Sequence, residues 1–176
     1  MNLPNKLTVF RVLCVPFFVF FLMMEQIQYH NYIAVAIFIV ASITDFLDGQ
    51  IARRKGLVTN FGKFMDPLAD KLLVCSGLIC LAGTRIPKWI VVIIIARELF
   101  ISGFRTLAAD QNVVLAAGMW GKVKTFVQMI MIIVVIVNIP LPFFKWVGII
   151  LIYASLALTI ISMIDYVVKN KDILKN

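Results

Sequence analysis

Asp45-Phe46-Leu47-Asp48-Gly49-Gln50-Ile51-Ala52-Arg53 is followed, eight residues later, by Gly62-Lys63-Phe64-Met65-Asp66-Pro67-Leu68-Ala69-Asp70. Four of the chain's nine acidic side chains thus fall within 26 positions, in a sequence that is 62% hydrophobic. A carboxylate turned toward lipid costs about 2.5–3.5 kcal/mol on insertion scales, so carboxylates in such a chain are expected to face protein and to have a function. The membrane premise comes from composition. With a mean hydropathy of +0.99 and 15% charged residues, 176 residues cannot hide their apolar surface in one soluble core.

Six helices are expected, over roughly residues 7–24, 32–53, 63–83, 88–107, 119–139 and 143–168, each with an apolar run of spanning length. Connections of about 4–12 residues make neighbours antiparallel. The expected fold is an all-α integral membrane bundle of six transmembrane helices, one domain over residues 1–176. The first run is too long, and lacks the small-residue cleavage site, to be a removable signal peptide.

Orientation follows from the basic residues. With the N-terminus in the cytoplasm, Lys6, Arg11, Arg53, Arg54, Lys55, Lys63, Lys71, Arg97, Arg105, Lys122, Lys124, Lys169, Lys171 and Lys175 lie on or toward that side, and Arg85, Lys88 and Lys145 lie opposite. Fourteen against three is a strong positive-inside bias. Both termini and the aspartate-rich hairpin are therefore expected at the cytoplasmic face of a multi-pass cell-membrane protein. The net charge of +8 suits anionic lipid headgroups. Nucleic acid is a poor partner, because the charges are scattered over loops with no soluble domain to present a groove.

Other conspicuous residue types read as structural. Cys14, Cys75 and Cys80 fall inside expected spans without partners at metal-ligand spacing, and suit small apolar packing. His30, near Tyr29 and Tyr32, reads as an interfacial or solvated histidine. Trp89, Trp120 and Trp146 each lie near a helix start, as in an interfacial aromatic belt.

Helical spacing lets the four carboxylates cooperate. Asp45 and Asp48 are three apart, Asp66 and Asp70 four apart, so each pair shares a helix face. The basic turn beginning at Arg53 reverses the chain and brings both pairs to similar depth near one surface. Four hard oxygen donors suit Mg²⁺ or Mn²⁺ better than zinc. Gly49, Ala52 and Gly62 extend the same faces with side chains that leave room for a bulky ligand. Arg53 offers a planar five-donor fork suited to a diphosphate. Metal ions and an arginine at a membrane surface suggest phosphoryl transfer on a lipid substrate. The competing reading, interfacial Asp and Arg residues snorkelling at helix ends, is weakened by four acids on two matched faces.

The two quoted segments resemble the signature of the CDP-alcohol phosphotransferase family, with all eight fixed positions of that pattern, Asp45, Asp48, Gly49, Ala52, Arg53, Gly62, Asp66 and Asp70, at the family spacing. That resemblance implies displacement of CMP from a CDP-linked donor by an alcohol, using two divalent ions. By position it implies that Asp45, Asp48 and Asp66 hold metal, and that Asp70 lies near the second metal and acts as general base. Gly49, Ala52 and Arg53 would line the cytidine and diphosphate site, and Gly62 would allow close approach. It also suggests a homodimer.

Further segments resemble one branch of the family, which forms phosphatidylglycerol phosphate from CDP-diacylglycerol and sn-glycerol 3-phosphate. They are Leu3 to Arg11, Asn60-Phe61-Gly62 with Asp66 to Lys71, Ala96-Arg97-Glu98, and Gly121 to Gln128. A phosphorylated acceptor needs further cations, and Arg105, Lys122 and Lys124 are candidates, with Arg97 beside them. Their alternative role is positive-inside topology with an ion pair to Glu98. Asn5 and Thr8, with Arg11 one turn on, are candidates for the donor nucleotide, against helix capping and interfacial anchoring. Rival readings are another acceptor, as in a cardiolipin synthase or an inositol-phosphate transferase, an intramembrane prenyltransferase, and a divalent-cation transporter. Acids clustered near one surface do not suit the last of these.

Overall fold

The computed structural model describes residues 3–55, 60–110 and 118–171; within these, the side chains of 3, 4, 45–55, 60–64, 66, 67, 109 and 110 fall outside the described part. The described residues form six α-helices: α1 (Leu3–Met23), α2 (His30–Lys55), α3 (Asn60–Leu81), α4 (Lys88–Asp110), α5 (Met119–Val137) and α6 (Pro142–Lys169). They divide into two compact units, Met1–Leu81 and Ala82–Asn176.

In the first unit α1 packs on α2 and α3, and α2 on α3. The buried face of α1 runs Thr8, Arg11, Val15, Phe18, Leu22, alternating steps of three and four that keep one stripe inward. Ala34, Phe38 and Ala41 of α2 follow the same rule. Phe18 and Phe38 meet with ring centroids 5.5 Å apart. On α3 the buried face includes Ala69, Leu73 and Leu78. α1 starts four residues earlier than expected. Pro4 explains this, because a proline in the first turn sacrifices no helical hydrogen bond and brings a suitable φ. The Nδ1 of His30 lies 3.2 Å from the carbonyl oxygen of Phe21. A carbonyl only accepts, so the proton is on Nδ1, and the imidazole ties the start of α2 to the end of α1.

In the second unit α6 packs on α4 and α5. Ile90, Ile94, Arg97, Ile101, Phe104 and Ala108 form the inward stripe of α4. Lys124, Gln128, Met131 and Val135 form that of α5, and Ile152, Ser155, Thr159, Ser162 and Tyr166 that of α6. Asn138 stops α5 in the left-handed conformation (φ 46°, ψ 52°), its N–H donating to the Val134 carbonyl. Nη1 of Arg85 donates to the carbonyls of Val135 and Ile136 at 3.0 and 2.7 Å, satisfying acceptors that the helix end leaves open. Gly83, at φ 80°, makes the turn before α4, which is why α3 ends at Leu81 and does not continue to 83.

Three described segments are long and apolar enough to cross a membrane: Asn5–Met23, Met119–Val137 and Pro142–Lys169, with mean hydropathies of 2.0, 1.8 and 2.5. The chain is a multi-pass membrane protein. α2, α3 and α4 carry the four quoted aspartates, Arg97, Glu98 and Arg105, which dilute their hydropathy. Apolar character is lowest where the polar chemistry is concentrated.

Candidate active site

The first unit gathers the sequence-identified positions at one end. α1 begins there, with Asn5, Thr8 and Arg11 in its first three turns, all buried, Thr8 and Arg11 with no exposed surface. α2 ends there, and its backbone carries positions 45, 48, 49, 52 and 53 in the last three turns. α3 starts there and carries positions 62, 66 and 70. The buried register of α2, Ala34-Phe38-Ala41, continues by steps of four and three to positions 45 and 48. On α3, counting back from Leu73 and Ala69 reaches 66 and 62 in the same way. The side chains of Asp45, Asp48, Asp66, Arg53 and Ala52, with Gly49 and Gly62, lie outside the described residues. Asp70 is described and half-buried, beside the fully buried Ala69.

The second unit holds the candidate acceptor cations, and its interior separates them into two kinds. Arg97 and Lys124 are buried, and both engage Glu98. Oε1 of Glu98 accepts from Nη1 of Arg97 at 3.1 Å and from Nζ of Lys124. Nη2 of Arg97 donates to Oγ of Ser162 at 3.1 Å, and that hydroxyl donates to the Thr159 carbonyl. Among the described residues, these two cations share the one carboxylate. Arg105 and Lys122 are exposed. Nε of Arg105 donates to the Tyr166 hydroxyl at 3.3 Å, and its guanidinium carbon lies 5.7 Å from that ring's centroid. Tyr166 in turn packs edge-on to Phe104 at 5.7 Å, so the Arg105 guanidinium rests against a fixed aromatic ring.

Sequence reasoning did not anticipate the complete burial of Arg11 and Thr8 or the polar stripe of α6. The signal was present in both cases. Thr8 and Arg11 continue the apolar three-and-four register of Val15, Phe18 and Leu22, and Ser155, Thr159, Ser162 and Tyr166 are spaced four, three and four apart.

A family model described as CDP-alcohol phosphatidyltransferase matches residues 1–161 of the 176. The chain belongs to the CDP-alcohol phosphatidyltransferase family. As a family member it is an enzyme of the phosphatidyltransferase class, and both quoted aspartate segments fall within the matched range. Among curated family relatives, a Bacillus subtilis protein named CDP-diacylglycerol–glycerol-3-phosphate 3-phosphatidyltransferase is 38% identical over 193 aligned positions, covering 99% of this chain and 97% of the relative. A Haemophilus influenzae protein of the same name is 38% identical, covering 94% of this chain and 91% of its own length. A Mycobacterium tuberculosis protein named probable phosphatidylglycerophosphate synthase is also 38% identical, over 96% of this chain and 81% of its own.

Proposed function

We propose that this phosphatidyltransferase moves the phosphatidyl group of CDP-diacylglycerol to sn-glycerol 3-phosphate, giving phosphatidylglycerol phosphate and CMP, in a bacterial cytoplasmic membrane. The observation that carries the reading is near-full-length identity of 38% to bacterial proteins bearing that activity in their names. In this reading the two units are halves of one catalytic domain, all six helices span, both termini are cytoplasmic, and the protein works as a homodimer.

The donor set fits a divalent ion. Asp45, Asp48, Asp66 and Asp70 are hard oxygen donors on two helices whose buried registers lead to those positions at one end of the first unit. They would hold two Mg²⁺ or Mn²⁺ ions, which would neutralise diphosphate charge when bound. Asp70 takes the proton from the acceptor hydroxyl as its oxygen attacks the donor's β-phosphorus, the phosphorus bonded to diacylglycerol, and the bond to CMP breaks. Asn5 and Thr8 orient the nucleotide, Arg53 binds the diphosphate, and Gly49, Ala52 and Gly62 keep room for it. Arg105 and Lys122, exposed in the second unit, contact the acceptor phosphate. Arg97 and Lys124 add positive potential from within, with Glu98 fixing their position.

Steady-state kinetics test the acceptor assignment. Arg105→Gln or Lys122→Gln should raise the KM for glycerol 3-phosphate about tenfold or more, the loss of one charge-assisted hydrogen bond, with the donor KM unchanged. An effect confined to the donor would reject it. Activity should disappear on chelation with EDTA and return with Mg²⁺ or Mn²⁺. Full turnover in EDTA would remove the metal from the proposal.

A further inference from the structure

Phe104 and Arg105 are consecutive on α4, about 100° apart around the helix, so that one is buried and the other reaches the surface. Both meet the same side chain. Tyr166 of α6 is 5% exposed, lies edge-on to Phe104 and is buried with it and Ile101. Its phenolic oxygen accepts from Nε of Arg105 at 3.3 Å, and the guanidinium carbon lies 5.7 Å from the ring centroid. The backbone of Tyr166 is tied as well, because Nδ2 of Asn170 donates to its carbonyl at 2.7 Å and satisfies an acceptor in the last turn of α6. Asp165, next to Tyr166, pairs with Lys169 at 2.7 Å, and among the described residues no carboxylate pairs with Arg105.

This contact decides which edge of Arg105 is left to a ligand. A guanidinium grips a phosphate as a fork, either through Nε with one Nη or through both Nη atoms. Nε is taken by a buried hydroxyl, and Nη1 and Nη2 have no partner among the described residues, so the Nη1–Nη2 edge is the one presented. We propose that Tyr166 is a positioning residue for the acceptor: its hydroxyl fixes Nε of Arg105 so that this edge meets the phosphate of glycerol 3-phosphate. The inference rests on Arg105 contacting that phosphate, as proposed above. Arg105 is otherwise a long exposed side chain, and an anchor on a buried ring reduces the conformational entropy it loses when substrate binds. Tyr166 acts through Arg105 and not on the reacting atoms, so its effect falls on acceptor binding and not on the chemical step.

Steady-state kinetics of the purified full chain with CDP-diacylglycerol and glycerol 3-phosphate test this. Tyr166→Phe keeps the ring and its packing on Phe104 and removes only the hydroxyl. It should raise the KM for glycerol 3-phosphate about three- to tenfold, with kcat and the KM for CDP-diacylglycerol unchanged. In an Arg105→Gln background the same change should have no further effect on that KM, because the group it positions is gone. A smaller folded fraction would lower the apparent kcat without moving KM, so the KM separates positioning from a purely structural role. An unchanged acceptor KM in Tyr166→Phe, while Arg105→Gln raises it, would overturn the positioning role and leave the acceptor assignment standing. An unchanged acceptor KM in Arg105→Gln would remove both. Equal increases from Tyr166→Phe with and without Arg105 would also reject the proposal, since the hydroxyl would then act without the guanidinium.

Discussion

A guanidinium with no exposed surface has to be held by the protein around it, and Arg11 is in that position, one turn beyond the equally buried Thr8. Its place at the end of the first unit that carries the aspartate positions makes it an internal cation, where the sequence alone allowed an interfacial anchor. Arg11→Met should therefore destabilise the protein by about 3 kcal/mol or more, seen as a lowered thermal midpoint in detergent. An unchanged midpoint would mean that the charge contributes nothing to the fold. Asp70 has a different expected signature. Asp70→Asn should reduce turnover by roughly 10²–10⁴-fold, the usual contribution of a general base, while nucleotide binding in the presence of a divalent ion persists. Substantial activity in that variant would reject the base assignment.

At the scale of the element, the second unit depends on a charge cluster that joins all three of its helices. Glu98 of α4 lies between Arg97 and Lys124 of α5, and Arg97 reaches Ser162 of α6. Removing the carboxylate that Arg97 and Lys124 share takes away the counter-charge that the described residues give both cations. Glu98→Gln should cost on the order of 3–5 kcal/mol, and combining it with Lys124→Met should recover part of that loss. Strict additivity of the two changes in thermal unfolding would show that the pair is not coupled. The α5–α6 turn gives a second expectation. Asn138 tolerates φ 46° because its short polar side chain suits the left-handed region, so Asn138→Val should cost about 1–2 kcal/mol, whereas Asn138→Gly should be neutral or better.

For the whole molecule, helix number and order were legible, because runs of apolar residues broken by Gly83, Asn138, Pro140 and Pro142 leave little choice of boundary. That positions 45 and 48 fall near the end of α2 and positions 66 and 70 near the start of α3 was legible too, from the apolar runs on either side of them. Burial of individual polar residues was not. Ser155, Thr159 and Ser162 are small enough to sit on either face of an apolar helix, and Thr159 satisfies its own hydroxyl on the Ser155 carbonyl, so composition did not mark them as interior. Nor did charge alone distinguish the exposed Lys122 from the buried Lys124, which differ in which face each residue takes on α5.

Product analysis with purified protein addresses the function most directly. CDP-diacylglycerol is supplied with Mg²⁺ and, in separate reactions, glycerol 3-phosphate, an inositol phosphate or phosphatidylglycerol, and released CMP and the new lipid are both identified. Phosphatidylglycerol phosphate formed mole for mole with CMP, and only with glycerol 3-phosphate, is the expected result. Failure to turn over glycerol 3-phosphate, or preferential consumption of another alcohol, would contradict the proposed reaction while leaving family membership intact.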